Sequence, residues 1–179
     1  MKALRRHVPL LLLILWLPGM AVASALQAGA PAPAFSLPDA DGKMRQLADW
    51  RGQWLVLYFY PRDHTPGCST EAGHFRDALP RFTALKVQVA GVSLDDSASH
   101  RHFADDLRLP FALLADTDGK VAQSYGALLN LGIIKYAKRH TILIDPDGRV
   151  AKIYREVDPK THATQLLADI KDFQRDWLR

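Results

Sequence analysis

An α/β fold with a mixed central sheet is predicted by three features of this 179-residue sequence. Apolar, strand-like runs alternate with helix-like segments over residues 54–125, as in sheets whose parallel strands are joined by helices. Two strands separated by a tight turn follow over residues 141–154 and add antiparallel pairing. An amphipathic helix over residues 160–178 closes the chain. Hydrophobic residues make up 48% and charged residues 23%, which is typical of a globular protein and excludes a disordered one.

The first 25 residues have the pattern of a secretory signal peptide. Lys2, Arg5 and Arg6 form a basic start, residues 10–17 are continuously apolar, and residues 21–25 contain small residues suited to a signal peptidase. The apolar run is short for a membrane-spanning helix, although an uncleaved anchor remains the alternative. The pattern predicts export, to the periplasm of a bacterium, with residues 26–179 forming a single domain.

The basic character of the chain comes largely from that segment. The chain carries a net charge of +4, and three of its 23 basic residues but none of its 19 acidic residues lie within residues 1–25. The remaining residues carry 20 basic and 19 acidic side chains, a net charge of +1. A nucleic-acid partner is therefore not expected, and membrane association is expected only if the N-terminal segment stays uncleaved.

The elements before the first helix are predicted from turn residues and an apolar run. Residues 38–43 are rich in turn formers and separate two short strands, 35–37 and 44–47, which gives an N-terminal β-hairpin. Residues 54–60 are continuously apolar and aromatic, as expected for a central strand that is buried on both faces.

The first helix carries the only cysteine of the chain. Thr65 suits an N-cap and Pro66 the first helical position, so the helix is expected to run over residues 69–79 and to end near Pro80. Cys68 then lies in the first turn, on the apolar face that it shares with every third or fourth residue. That face consists of Cys68, Ala72, Phe75 and Leu79.

The remaining elements follow from the same patterns. Apolar runs predict strands, an N-cap residue before a periodic segment predicts a helix, and residues 146–148 are a hairpin signal. The expected elements are strands at 87–93, 111–114, 141–145 and 149–154 and helices at 97–107 and before 125–126.

A single cysteine limits the chemistry that the chain can perform. It excludes an internal disulfide, a CxxC redox motif and zinc sites built from several cysteines. A thiol reacts as its thiolate, which a helix N-terminus and a neighbouring cation both stabilise. The alternative from the residues alone is that Cys68 packs as a small hydrophobic side chain.

The surroundings of Cys68 resemble the active-site motif of the peroxiredoxins, and more narrowly that of the bacterioferritin-comigratory-protein (PrxQ) subfamily. The stretch FYPRDHTPGC at residues 59–68 resembles the motif itself. Residues 30–35 resemble the opening segment of the family, and RHTILIDPDG at residues 139–148 resembles its arginine strand and hairpin. The resemblance implies a thioredoxin-like fold and a thiol peroxidase that reduces hydrogen peroxide or organic hydroperoxides.

The resemblance also implies a role for each residue of the motif. Cys68 would attack the peroxide and become a sulfenic acid. Arg139 would stabilise the thiolate and the polarised peroxide, and Thr65 would hydrogen-bond the thiolate or serve only as the helix cap. Pro61 would shield the sulfur from water or simply terminate the strand. The backbone N–H groups of Gly67 and Cys68 would face the developing negative charge.

Glu71 is open to two interpretations. It lies one turn from Cys68 and could balance the charge of Arg139, but an isolated carboxylate on a helix is more often exposed, and exposure is the expectation here.

Several histidines add weaker signals. His64 and His74 flank Cys68, but these three residues lack further ligand spacing, so no metal site is predicted. His100 and His102 are two residues apart on a predicted helix and do not share a face, so both are expected to be solvated.

The sequence departs from the resembled subfamily at its second cysteine. Many members carry a resolving cysteine five positions after the first, where this chain has Gly73, and no later cysteine follows. The hypothesis is a one-cysteine cycle without a cofactor, in which a small thiol or an exported thioredoxin-like protein supplies the electrons. A monomer and a homodimer both remain open.

Residues 127–134 are unusually apolar for a connection. The segment either adds a core helix, covers the substrate pocket or contributes to a subunit interface.

Two other classes of protein compete with the peroxidase interpretation. One is a non-catalytic thioredoxin-fold protein that binds a metal or a redox partner through Cys68. The other is an inactive structural member of the family in which Cys68 is simply buried.

Overall fold

A computed structural model describes residues 26–177 of the chain. The predicted signal segment, residues 1–25, lies outside the described residues. Within the described part, no helix combines the length and the apolar character needed to cross a membrane.

A five-stranded mixed sheet forms the centre of the fold. Its strands lie in the order β5-β4-β3-β8-β9. β3, β4 and β5 run parallel, whereas β8 pairs antiparallel with both β3 and β9. The strands are β3 (Trp54–Phe59), β4 (Val87–Ser93), β5 (Ala112–Ala115), β8 (Thr141–Ile144) and β9 (Val150–Tyr154). The predicted α/β fold with a mixed sheet is confirmed.

Two small hairpins lie outside this sheet. The predicted N-terminal hairpin is formed by β1 (Ser36–Pro38) and β2 (Met44–Gln46), and a 3-10 helix follows at Leu47–Trp50. A second hairpin, β6 (Leu128–Asn130) and β7 (Lys135–Ala137), lies before β8.

Helices and the N-terminal segment cover the two faces of the sheet. All six residues of β3 are buried, as predicted for a central strand, and their side chains alternate between two apolar clusters. Val56 and Tyr58 pack with three of the helices, while Leu55, Leu57 and Phe59 pack with the N-terminal segment and the remaining helix. The helices are α1 (Pro66–Ala84), α2 (Ser97–Leu107), α3 (Lys120–Ser124) and α4 (His162–Trp177).

The prediction that the first helix ends near Pro80 is wrong. α1 continues through Pro80 to Ala84. A proline inside a helix costs one backbone hydrogen bond and about 3 kcal/mol. The last turn places Phe82 in the core, where it is fully buried against Phe75. Burial of a phenylalanine side chain contributes about 1.5–3 kcal/mol, and this packing offsets much of the cost of the proline.

The interpretation of residues 127–134 as an added core helix is also wrong. The segment forms β6 and the turn that leads to β7. Ala127 at its base is buried, but Leu131, Ile133 and Ile134 at its turn are exposed. An Asn130-x-Gly132 sequence in the turn, with Gly132 at a φ of 81°, explains the reversal of the chain, because glycine adopts positive φ without steric cost.

Candidate functional site

Cys68 lies at the start of α1, after the loop that follows β3. Thr65 is the N-cap, Pro66 occupies the first helical position, and Cys68 is the third residue of the helix. Its side chain is 1% exposed and faces the apolar cluster that holds Ala72 and Phe75. The N–H groups of the first helical turn have no partner within the helix and carry a partial positive charge. The sulfur therefore lies beside a backbone environment that favours an anion.

Arg139 provides a cation at the sulfur. It lies between β7 and β8, and its Nη2 donates a hydrogen bond to Cys68 Sγ at 3.3 Å. Burial disfavours its charge, but Glu71 and Cys68 raise the pKa of Arg139 above its ordinary value, so it stays protonated. The predicted pairing of Arg139 with Cys68 is present in the structure.

Glu71 accepts a hydrogen bond from the other terminal nitrogen of the Arg139 guanidinium. Arg139 Nη1 donates to Glu71 Oε2, and the glutamate is 1% exposed. The expectation that Glu71 is an exposed helix carboxylate is therefore wrong, because its partner lies 68 residues further along the chain. Burial raises the pKa of Glu71 to about 7, although the charge of Arg139 and its hydrogen bond act in the opposite direction.

Gly67 allows the guanidinium to approach the helix. A Cβ atom at this position would lie 3.2 Å from Arg139 Nη2. A side chain would therefore press on the nitrogen that donates to the sulfur. Gly67 is the second residue of α1, so its N–H group is one of those that the helix leaves without an internal partner.

Thr65 makes a different contact from the one that was expected. Its hydroxyl donates to the carbonyl of Arg62 at 3.0 Å, and its side chain does not cap the helix. The single hydroxyl proton is therefore directed at the preceding loop and not at the sulfur. The lone pairs of the hydroxyl stay available as acceptors.

Pro61 lies two residues after the end of β3 and is half-buried. Together with Arg62 it forms one wall of a cleft of about 480 Å³. The opposite wall comes from the β6–β7 hairpin, including Ile133 and Ile134. β3 ends at Phe59, before Tyr60, so Pro61 lies in the loop that leads to Cys68, and it lines a surface cleft there.

A buried polar network that the sequence did not reveal holds this loop. The Nδ1 of His100 lies 2.8 Å from Asp63 Oδ2, and Ser99 Oγ donates to the same oxygen at 2.7 Å. Tyr60 donates to Asp63 Oδ1 at 2.8 Å. Burial opposes the charge of Asp63, but hydrogen bonds led by His100 hold the pKa of its carboxyl below the ordinary value.

The expectation that His100 is solvated is therefore wrong. Its side chain is fully buried, because Asp63, 37 residues earlier, supplies a carboxylate partner inside the fold. The network ties the loop before Cys68 to the first turn of α2. A polar pair at the start of α2, Ser99 and His100, is the only signal in the sequence, and it gives no indication of the partner.

Among the described residues, the hydrogen bond to the sulfur comes from Arg139, and none comes from His64, His74 or His102. His64 is near Asp106 on the surface, with Nδ1 and Oδ2 3.7 Å apart, and His102 is exposed. Among residues 26–177, no group of three His, Cys, Asp or Glu side chains is placed to hold a metal ion. Within these residues, His64 and His74, which flank Cys68 in the sequence, belong to no such group.

Comparison with known proteins gives a consistent result. The model of the AhpC/TSA family matches residues 28–153. Peroxiredoxin Bcp of Bacillus subtilis is 38% identical over 151 residues, which cover 82% of this chain and 96% of the relative. The chloroplastic peroxiredoxin Q of Triticum aestivum is 39% identical over 153 residues, which cover 84% of this chain and 70% of the relative.

Solved structures show the same relationship. Peroxidoxin BcpB of Mycobacterium tuberculosis superposes with a TM-score of 0.78 at 33% identity, over 82% of this chain and 97% of the other. A mutant of PrxQ from Xylella fastidiosa gives a TM-score of 0.79 at 31% identity, over 84% and 99% of the two chains.

Proposed function

Because this chain belongs to the AhpC/TSA family, among its Bcp and peroxiredoxin Q members, it is a thiol peroxidase, and we propose that Cys68 is its peroxidatic nucleophile. The observation that carries the proposal is the 3.3 Å hydrogen bond from Arg139 to Cys68 Sγ. This contact holds a planar guanidinium where it can donate hydrogen bonds to the reacting sulfur and to a bound peroxide.

The reaction that we propose is a two-electron oxidation of the sulfur. The Cys68 thiolate attacks one peroxide oxygen, a sulfur–oxygen bond forms and the oxygen–oxygen bond breaks. The sulfur becomes a sulfenic acid, and the leaving oxygen takes a proton and departs as water or an alcohol. Arg139 and the first N–H groups of α1, at Gly67 and Cys68, stabilise the charge that develops on the peroxide.

Thr65 and Pro61 complete the proposed site. With its proton donated to Arg62, the hydroxyl of Thr65 can accept a hydrogen bond from the peroxide and orient it. Pro61, half-buried where β3 ends, limits the access of water to the loop that carries the nucleophile.

The return step requires a thiol from another molecule. Cys68 is the only cysteine, and Gly73 occupies the position of the resolving cysteine found in many members of the subfamily. An external thiol attacks the sulfenic sulfur, water leaves and a mixed disulfide forms. A second thiol then releases the Cys68 thiolate and carries away the disulfide. We propose that this thiol belongs to a thioredoxin-like protein or a small molecule.

The one-cysteine cycle predicts a sulfenic acid that persists until a thiol is added. One equivalent of peroxide should convert Cys68 into a species that dimedone traps, measured as an adduct on the peptide that contains Cys68. Addition of a thiol before dimedone should replace this adduct with a mixed disulfide. Failure of peroxide to change the mass at Cys68 would contradict the proposal. An oxidised chain that accepts no thiol from a panel of small and protein reductants would contradict the cycle.

The ionisation of Glu71 should shape the pH dependence of the first step. Glu71, whose pKa is raised to about 7, is neutral at lower pH and charged at higher pH. The substitution Glu71→Gln replaces the carboxyl group with an amide that stays neutral at every pH. Because a hydrogen bond to a carboxylate is about 1 kcal/mol stronger than one to a neutral acceptor, the wild type should anchor Arg139 better at high pH.

The expected result is a ratio of rate constants, wild type over Glu71→Gln, that is near one at low pH. The ratio should rise to roughly fivefold at high pH, with a midpoint near the raised pKa of Glu71. Stopped-flow measurement of Cys68 oxidation between mildly acidic and alkaline pH gives both rate constants. Asp105→Asn, an exposed change on α2, serves as the control and should give a flat ratio. A flat ratio for Glu71→Gln would refute the anchoring role.

We also propose that the protein is exported, with residues 1–25 acting as a signal. The support is the basic, apolar and small-residue pattern of that segment. Protein isolated from the periplasm of expressing bacteria should begin at residue 24 or 26, as measured by intact mass. Recovery of the full-length chain in the membrane fraction would instead support the uncleaved anchor, and recovery in the cytoplasm would contradict export.

A further inference from the structure

The β6–β7 hairpin ends in a cluster of exposed apolar side chains. Ile133 is 100% exposed, Leu131 64% and Ile134 53%. These three residues form the apolar tip of the hairpin. Among the residues whose burial the structure describes, 26–175, the other exposed large hydrophobic residues are Met44 at 52% and Tyr136 at 36%, and Tyr136 belongs to the same hairpin.

The fold does not require apolar side chains at this tip. The turn is closed by backbone groups, with Leu131 N donating to the carbonyl of Ile134 at 2.9 Å. Gly132 N donates to the side chain of Asn130 at 3.1 Å. Polar residues at the three apolar positions would keep these bonds, so the apolar character points to a function at the surface.

Two exposed basic side chains, Lys135 and Arg62, lie beside the apolar tip. No acidic residue occurs between Asp118 and Asp145, a stretch that contains four basic residues. Of these, Lys135 is exposed and directly follows the tip. Arg62, whose side chain is 78% exposed, lines the cleft beside Ile133 and Ile134. Asp95 in the same cleft lies 3.9 Å from Arg62 and is largely buried, which leaves the basic groups dominant at the surface.

We propose that the hairpin docks on a lipid bilayer that carries anionic headgroups. The apolar tip would enter the boundary between headgroups and acyl chains, while Lys135 and Arg62 bind the headgroup phosphates. Tyr136, with an apolar ring and a polar hydroxyl, suits the interface between the two. A projecting hairpin with a cationic base fits a penetrable surface, whereas a protein partner would have to supply a matching apolar groove lined with acidic residues.

A local optical probe separates docking by the tip from any contribution of residues 1–25. The test uses the full chain with Ile133→Trp, and Met44→Trp as the matched control at an exposed hydrophobic position outside the hairpin. Vesicles contain phosphatidylcholine with 30% phosphatidylglycerol, with and without brominated acyl chains. The unsubstituted chain, which has four tryptophans, gives the background that is subtracted from both variants.

The added tryptophan at position 133 should be quenched by brominated lipid and shifted to shorter emission wavelengths. The tryptophan at position 44 should show neither effect. Addition of Lys135→Gln should lower the ratio of quenched to unquenched tryptophan at position 133 about fivefold, because each basic residue near an anionic surface contributes on the order of 1 kcal/mol. Removal of phosphatidylglycerol should lower the ratio further, because it removes the contributions of both Lys135 and Arg62.

Three outcomes would overturn the proposal. The first is a tryptophan at position 133 that brominated lipid does not quench, whether or not the chain binds the vesicles through another segment, and the second is equal quenching at positions 133 and 44. The third is a dimer in analytical ultracentrifugation that Ile133→Asp dissociates, which would assign the tip to a second copy of the chain. None of these readouts depends on peroxide reduction, so the docking surface and the proposed catalytic site are tested separately.

Discussion

Replacement of Cys68 with serine is expected to abolish peroxide consumption. A serine hydroxyl is protonated at neutral pH and does not attack a peroxide, so the rate should fall by at least about four orders of magnitude. The assay follows peroxide loss with a thiol in excess. Serine has nearly the same shape as cysteine, so the buried position at the start of α1 should keep its packing.

Two controls make this result specific. Ser124→Ala, an exposed change on α3, should leave the rate of peroxide loss within about twofold of the wild type because surface changes of this kind have small effects. Thermal unfolding of the Cys68→Ser variant should show a cooperative transition, which separates loss of the nucleophile from loss of the fold. Peroxide consumption that persists in a folded Cys68→Ser variant would place the chemistry elsewhere and refute the assignment.

Arg139→Lys should slow the oxidation of Cys68 about 10²-fold. Lysine keeps the charge, but a single ammonium does not reproduce the planar fork that donates at once to Glu71 and to the sulfur. Loss of one preorganised donor at a developing oxyanion costs about 10²–10³ in rate in other enzymes. Stopped-flow measurement of the second-order rate constant with hydrogen peroxide tests this effect.

Arg149→Lys is the control for Arg139→Lys, because it makes the same substitution at an arginine that does not contact the sulfur. Arg149 lies in the β8–β9 hairpin and donates to the carbonyl of Gly29 at 3.0 Å, away from the sulfur. Its replacement should leave the rate of Cys68 oxidation unchanged. An Arg139→Lys variant that reacts as fast as the wild type would show that positive charge suffices and that the geometry of the guanidinium contributes nothing.

The sequence predicted the elements whose patterns are local and strong. The apolar run over β3, the turn residues of the first hairpin and the Thr65-Pro66 sequence at the start of α1 each specify their element without distant contacts. The end of α1 could not be predicted in this way. Pro80 is a strong local signal for a helix end, but the burial of Phe82 is a tertiary effect that only the folded chain reveals.

The site was predictable to the extent that its residues are recognisable by type. The lone cysteine at the start of a helix was only a candidate by itself, and family resemblance identified both Cys68 as the proposed nucleophile and Arg139 as its partner. Glu71 and His100 were missed because a charged or polar residue on a helix is read as exposed unless its partner is known. Both have partners that are distant along the chain, which neither periodicity nor composition reveals.

The base of the β6–β7 hairpin is fixed to the core while its turn extends into solvent. Ala137 is fully buried, and Lys138 N donates to the carbonyl of Ala127 at 2.6 Å. Arg139 follows immediately, so its position is set by this base and by β8 and not by the four residues at the turn. Substitutions at the turn can therefore accumulate during evolution without disturbing the reactive centre. The proposed docking surface and the proposed chemistry at Cys68 can therefore change independently of each other.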